Sequence, residues 1–316
     1  MEQIEHKFVA INGLKLHVAE LGSQASPAVV FLHGFPEIWY SWRYQMVAVA
    51  NAGFRAIALD YRGYGLSDPP PVPEEAKSAD IISDVVALLD ALSVTKAFFI
   101  GKDFGIRPAY LMPLLYPERV SGVVTLGAPY LPPTPSATSF LDHLPEGFYI
   151  SRWQKPGRAE ADFGRFDNKT VVRNIYILFS GTEIPIAAEN QEIMDLVDSS
   201  TPLPSWFTEE DLAAYGSLYE KSGFRTALKV TYRSMSEEFN LTNLNVDSPA
   251  LFIMGEKDYF FKFPGMEEYI KKEQAKAFVP KLKTVYIPDG SHFVQEQFPE
   301  QVNKLIVDFL RENTTD

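Results

Sequence analysis

The sequence predicts an α/β fold, with a mostly parallel central sheet, helices on both faces and a helical cap inserted late in the chain. Two observations carry that expectation. Short continuous apolar runs alternate with segments of helical periodicity, and the alternation stops between about residues 129 and 247 before it resumes. At 316 residues and 46% hydrophobic composition, the chain is long and apolar enough to bury a sizeable core.

Taken in order, Val9–Ile11 and Leu14–Val18 flank Asn12-Gly13, a dipeptide whose two residues tolerate the left-handed conformation of a tight hairpin. Ala28–Leu32, Arg55–Leu59, Ala97–Ile100, Val120–Leu126, Ala250–Met254 and Thr284–Ile287 read as strands buried on both faces. Ser78 is placed as the N-cap of a helix whose inner face is Ile81, Val85, Leu88, Leu89 and Leu92. A last helix starts at Pro299 and repeats Val302, Leu305, Ile306 and Phe309. The interruption opens on a proline-rich stretch, residues 128–135, and holds helical-looking pieces at Lys169–Leu178, Glu189–Val197 and Glu209–Lys221. We therefore divide the chain into a first core part, 1–129, a cap, 130–247, and a second core part, 248–316, with the functional cleft between cap and core.

Composition removes several classes of function. Lys+Arg 29 against Asp+Glu 41 leaves a net charge of −12 with no basic run, which argues against binding nucleic acid through its phosphates. Cysteine is absent, so disulfides, thiolate metal sites and cysteine nucleophiles drop out. The five histidines, His6, His17, His33, His143 and His292, lack metal-ligand spacing, and no metal or cofactor is expected. Asp60-Tyr-Arg-Gly-Tyr-Gly65 is glycine-rich but lacks the Lys-Ser/Thr of a phosphate cradle. The opening segment lacks a secretory pattern, and no apolar run approaches the roughly 20 residues of a membrane span. The expectation is a cytoplasmic protein, monomer or homodimer.

The chemistry concentrates in three strings. An apolar strand runs into Gly101-Lys-Asp103-Phe-Gly105 and a helical pattern follows, which is the spacing of a nucleophile elbow with Asp in the place of Ser. Leu251-Phe-Ile-Met-Gly-Glu-Lys-Asp258 sets an acid just past a strand, and Gly290-Ser-His292 sets a histidine after the next one. In isolation Asp258 is a loop acid and His292 a turn histidine; in the order nucleophile, acid, base, behind an elbow, they form a triad. His33-Gly-Phe-Pro-Glu37 follows the first core strand, where the N–H of Phe35 joins that of Phe104 as an oxyanion pair. His33 itself reads as structural.

Those strings, with Trp39-Tyr-Ser-Trp-Arg43, Glu256-Lys-Asp258 and Ser291-His-Phe293, resemble the soluble epoxide hydrolases of the α/β-hydrolase fold over nearly the whole chain. The plant type, which lacks the extra phosphatase domain of the mammalian enzymes, is the one resembled. The resemblance implies that two cap tyrosines hold the epoxide oxygen, matched by Tyr149-Ile-Ser-Arg152 and by Tyr232 before Arg233. Among 15 tyrosines, spacing alone does not single these out. It further implies attack by Asp103 to give an alkyl ester, and hydrolysis by water that His292 and Asp258 activate. A small apolar epoxide and water are then the expected partners.

One position departs from the family. Relatives carry His before the nucleophile and Trp after it, whereas this chain has Lys102 and Phe104. In the plant enzymes the His and the Glu at position 37 place the hydrolytic water. Lys102 either pairs with Glu37 and keeps that network charged, or bends out to solvent. Trp39, Trp153 and Tyr130 are candidates for the substrate pocket, although aromatic clusters also simply fill cores. Three alternatives share the Asp elbow: a haloalkane dehalogenase, a haloacid dehalogenase drawing on Arg107, and an epoxide-opening cyclase giving a cyclic ether.

Overall fold

The computed structural model describes residues 3–134 and 144–314. Pro135, the end of the proline-rich stretch, and His143 lie outside the described residues. Eight strands form one sheet: β1 (Glu5–Ile11), β2 (Leu14–Leu21), β3 (Ala28–Leu32), β4 (Arg55–Leu59), β5 (Ala97–Lys102), β6 (Val120–Leu126), β7 (Ala250–Gly255) and β8 (Leu282–Ile287). Their order is β1-β2-β4-β3-β5-β6-β7-β8. The β1–β2 and β2–β4 pairs are antiparallel and every other pair is parallel. The Asn12-Gly13 hairpin forms as expected, with both residues at positive φ and Ile11 opposite Leu14.

The strand order fixes where a site can lie. The chain leaves β3 toward β4 and then returns past β3 to β5, so the two right-handed crossovers place their helices on opposite faces. This reversal of strand order puts the switch point at the carboxyl ends of β3 and β5, where open α/β sheets hold their ligands. The helices Arg43–Asn51 and Pro299–Asn313 pack together, while Ser78–Ala91 packs with Ile106–Leu115. β3, β4, β5 and β7 are buried along their whole length, as strands covered on both faces must be.

Three expectations need correction. β8 is not buried on both faces; it is the sheet edge, and Lys283 and Tyr286 reach solvent. Ser78 is the first helical residue rather than the cap: Lys77 caps the helix, Asp80 accepts from its N–H, and the Ser78 hydroxyl donates to Glu237 at 2.7 Å. Glu189–Val197 is not a helix; only a single 3-10 turn, Ile193–Leu196, forms there. The other pieces appear as the helices Asn168–Phe179 and Glu209–Leu218.

Among the described residues, no strand between β6 and β7 joins the sheet, and the interval is mainly helical. A buried polar knot ties it to the sheet's helices. Glu296 accepts from Arg43 at 2.6 Å and from the Tyr176 hydroxyl at 2.7 Å, and Arg43 also pairs with Asp211 at 2.9 Å. Burial pushes the Glu296 carboxyl up to about 7, with Arg43 pulling the other way. No helix among the described residues is long and apolar enough to cross a membrane.

Two of the tight steric demands on glycine in the chain lie at the end of β5 and in the turn that follows it. A Cβ on Gly105 would lie 2.1 Å from the Leu32 carbonyl oxygen, and one on Gly101 would lie 2.3 Å from the Gly105 oxygen. We predict that Gly105→Ala lowers stability by about 3 kcal/mol or more, because backbone and not a flexible side chain must move. The urea midpoint measures this; an unchanged midpoint would show that the turn relaxes freely.

Candidate active site

Asp103 follows β5 directly, at φ +52°, in a short turn that leads into the helix Ile106–Leu115. A non-glycine residue held there is strained, and the two close glycine approaches on either side hold it. The turn projects the carboxylate out at that switch point. Its Oδ1 accepts the Phe35 N–H at 3.1 Å, and the Phe104 N–H donates to the same carboxylate. Gly34 makes this approach possible, since a Cβ there would sit 2.5 Å from Asp103 Cβ.

His292 reaches the other oxygen. Its Nε2 stands 3.2 Å from Asp103 Oδ2, while Nδ1 is 2.9 Å and 3.0 Å from the two oxygens of Asp258. Asp258 is itself pinned by the Phe260 N–H at 2.9 Å. Nδ1 therefore carries a proton toward Asp258 and Nε2 faces Asp103. Burial pushes the Asp103 carboxyl up, but the His292 hydrogen bond and charge, with the Lys102 charge, outweigh it and hold it below its ordinary range. Burial pulls the His292 imidazole down, yet the two carboxylates win and raise it to about 9. The resting pair is carboxylate and imidazolium.

Lys102 turns inward. Its side chain is fully buried, with Nζ 3.4 Å from Glu37 Oε1 and 4.7 Å from the centre of the Phe293 ring. The solvent-facing alternative is thereby ruled out. Glu37 also accepts from Gly34 N–H at 3.1 Å and from Gln295 Nε2 at 2.6 Å. Burial pushes its carboxyl up, Lys102 opposes this, and Asp103 adds to it. Among the described residues, Lys102 Nζ and Gln295 Oε1 have no hydrogen-bond partner, and both groups meet at Glu37. His33 is structural: it bridges the Gly34 oxygen and the Tyr61 N–H, and burial lowers it to about 4.

Tyr149 opens the helix Tyr149–Gln154, and Tyr232 ends the helix Arg225–Thr231. Their rings meet edge to face at 6.2 Å, and Tyr232 packs on Phe104 at 4.9 Å and on Phe35 at 5.3 Å. Both phenols are driven up by burial and further by the Asp103 charge, so both keep their protons. Beside them lies a cavity of about 210 Å³, lined by Asp103, Phe104, Tyr149, Leu111, Leu131 and Tyr130 among others. Tyr130 thus lies where expected, with its hydroxyl donating to the Leu244 oxygen at 2.8 Å.

Of the residues expected around the substrate, Trp39, Trp153 and Tyr232 fall outside the cavity lining, although Tyr232 packs on Phe104, which lines it. Trp39 packs against His6, His17 and Tyr40, and its backbone N–H donates to Asp60 at 2.9 Å. Trp153 lies behind the two tyrosines, 5.3 Å from Tyr149 and 5.1 Å from Tyr232, and supports them. The sequence reading missed Tyr259, whose hydroxyl is 3.2 Å from that of Tyr149, and Gln295. Their closeness to Asp258 and His292 in the chain was the one signal available. Among the described residues no three His, Asp or Glu side chains converge as a metal ligand set.

Comparison with known proteins gives the family. The α/β hydrolase fold family matches residues 27–299. Epoxide hydrolase 2 of Siraitia grosvenorii is 37% identical over 98% of this chain and 99% of its own length. The chain belongs to the epoxide hydrolases. Epoxide hydrolase A of Mycobacterium tuberculosis is 31% identical and covers 96% of each chain. Among solved epoxide hydrolases, a laboratory-evolved variant of the potato protein superposes with a TM-score of 0.89 at 35% identity, covering 98% of this chain and 99% of its own. One from Vigna radiata gives 0.89 at 34%, covering 99% of both. The resemblance carried by the motifs thus extends to an epoxide hydrolase fold along essentially the whole chain.

The raised His292 has a consequence for stability. Its folded value of about 9 exceeds the ordinary 6.5, so the folded state binds that proton more tightly. The contribution is full below about 6.5 and is lost as pH rises through about 9. Glu296, at about 7, has finished its own titration before most of this loss. We predict a thermal midpoint that falls between pH about 7 and about 9, and a flatter profile over that window in His292→Gln. Equal slopes in both proteins would contradict the raised imidazole.

Proposed function

We propose that this chain hydrolyses an apolar epoxide to a vicinal diol through an ester on Asp103. One observation carries the assignment of roles: a mostly buried carboxylate, tied to an imidazole and two amides, faces a cavity lined by the protonated phenol of Tyr149, with that of Tyr232 packed beside it. An epoxide carbon is sp³, so the first step needs a nucleophile and an acid for the departing oxygen. Asp103 Oδ2 bonds to carbon, the C–O bond breaks with its electrons left on oxygen, and Tyr149 or Tyr232 supplies the proton. Such acid assistance contributes about 10²–10⁴ in rate. Oδ1, held by the Phe35 amide, becomes the ester carbonyl oxygen.

The second step reverses the demands. Esterification removes the Asp103 charge, so the His292 imidazolium loses one of the groups that raised it and gives up its proton, which restores the tyrosine. Neutral His292, oriented by Asp258, takes a proton from water, and the hydroxide attacks the ester carbonyl. The Phe35 and Phe104 amides stabilise the tetrahedral oxyanion. On collapse the bond between the carbonyl carbon and Oδ2 breaks, the departing alkoxide takes the proton of the newly added hydroxyl, and the diol leaves with Oδ2 while Asp103 returns as carboxylate. We assign Glu37 and Lys102, with Gln295, to placing that water: a buried cation and carboxylate with free hydrogen-bonding capacity stand beside the triad.

The same division of labour supports reading 1–129 and 248–316 as a core that holds the triad, with 130–247 as the cap that brings Tyr149 and Tyr232. Dehalogenase readings find little support. Phe35 and Phe104 offer no side-chain N–H for a halide, and the Arg107 guanidinium is engaged by the carbonyl oxygens of Ser234, Met235 and Glu237.

With His292→Gln, alkylation continues and hydrolysis stops, so incubation with styrene oxide should leave one covalent adduct on the peptide containing Asp103. No adduct by mass spectrometry, or a product lacking one added water in the unaltered enzyme, overturns the reading. We further predict that Glu37→Gln and Lys102→Met each slow ester hydrolysis by about tenfold or more in single turnover and leave alkylation nearly unchanged. Unslowed hydrolysis in both would remove them from water placement.

A further inference from the structure

The mechanism needs two phenols, and the structure places a third beside them. Tyr259 directly follows the acid Asp258 and starts the turn Tyr259–Lys262, which that carboxylate caps through the Phe260 N–H. Its ring is held edge-on to His292 at 4.9 Å and against Phe179 at 5.0 Å. The same residue lines the substrate cavity with Tyr149. Its hydroxyl is buried, and among the described residues Tyr149 Oη, 3.2 Å away, is its hydrogen-bond partner.

A phenol has one proton to give, and the direction of this bond decides what Tyr149 can do. If Tyr149 donated to Tyr259, its one proton would be engaged there and withheld from an epoxide oxygen in the cavity. If Tyr259 donates, both protons find use, and that of Tyr149 is free to face the cavity. We propose that Tyr259 is a positioning residue for epoxide opening: its hydroxyl donates to Tyr149 Oη, turns the Tyr149 proton toward the epoxide oxygen and stabilises the phenolate left behind.

Electrostatics agrees with that direction. The bond pulls the Tyr149 phenol down while it pushes that of Tyr259 up, which makes Tyr149 the better acid of the two. In the step itself, Asp103 Oδ2 bonds to carbon, the epoxide C–O bond breaks, and the Tyr149 proton moves to the freed oxygen. Tyr259 keeps its own proton and donates a stronger, charge-assisted bond to the new phenolate. Among the described residues no phenol is hydrogen-bonded to Tyr232, which holds the same oxygen without this support. The two tyrosines are therefore unequal acids.

This inference rests on the epoxide-hydrolysis reading, and a double-mutant cycle separates the two. Alkylation and hydrolysis rates are measured in single turnover with styrene oxide for the unaltered enzyme, Tyr259→Phe, Tyr149→Phe and the double variant, with thermal melts to confirm folding. Alkylation by the unaltered enzyme tests the underlying reading. Given that alkylation, Tyr259→Phe should slow it roughly tenfold, leave ester hydrolysis unchanged, and have almost no further effect once Tyr149 is Phe. A merely structural role would slow alkylation equally in both backgrounds or slow both steps together. Either result, or unslowed alkylation, overturns the proposal.

Discussion

The turn at Asp103 is the constraint on which the rest of the site depends. A strand ends, the chain passes through a left-handed residue, and a helix begins within three residues, with glycine backbone pressed against neighbouring carbonyls on both sides. That geometry has one outlet for the side chain, at the strand ends where the strand order reverses. The amide of Phe35 and the imidazole of His292 then meet the carboxylate from opposite sides, one from the loop after β3 and the other from the loop after β8. The convergence is fixed by backbone that has nowhere else to go.

Charge follows from that convergence. Asp103, Asp258 and Glu37 bring three carboxylates into one buried space, and Lys102 and His292 bring the cations. A buried charge is tolerated only when paired, so each group sets the protonation of the next. Lys102 adds a fixed cation beside the nucleophile. Its part in holding Asp103 ionised is smaller than that of His292, and it opposes the rise of His292, which favours the hydrolytic half of the proposed reaction.

Much of this was legible in the sequence, and unevenly so. The hairpin at Asn12-Gly13, the buried strands, the elbow and the order of Asp103, Asp258 and His292 are local demands of backbone, and local demands leave local marks. The inward turn of Lys102 was one of two open readings, because only the packed fold shows that no solvent lies near. Tyr149 and Tyr232 came from resemblance, since a tyrosine carries no spacing signature of its own. Tyr259 and Gln295 stayed hidden because their partners are distant in the chain. Trp39 shows the opposite error: a motif aromatic close to the site in sequence, whose ring packs instead against His6, His17 and Tyr40.

The Glu296 knot bears on how such a protein can be redesigned. Its carboxylate is shared between Arg43 and the phenol of Tyr176, which belongs to the helical insert. Grafting a foreign lid onto this scaffold would leave one oxygen of a buried carboxylate without its donor, while Arg43 still held the other, unless the graft carried a hydroxyl at the same place. Libraries that reshape the substrate chamber therefore have freedom at wall positions such as Ile81, Leu114 and Leu131, and should leave Arg43, Tyr176 and Glu296 untouched as the joint on which interchangeable lids would sit.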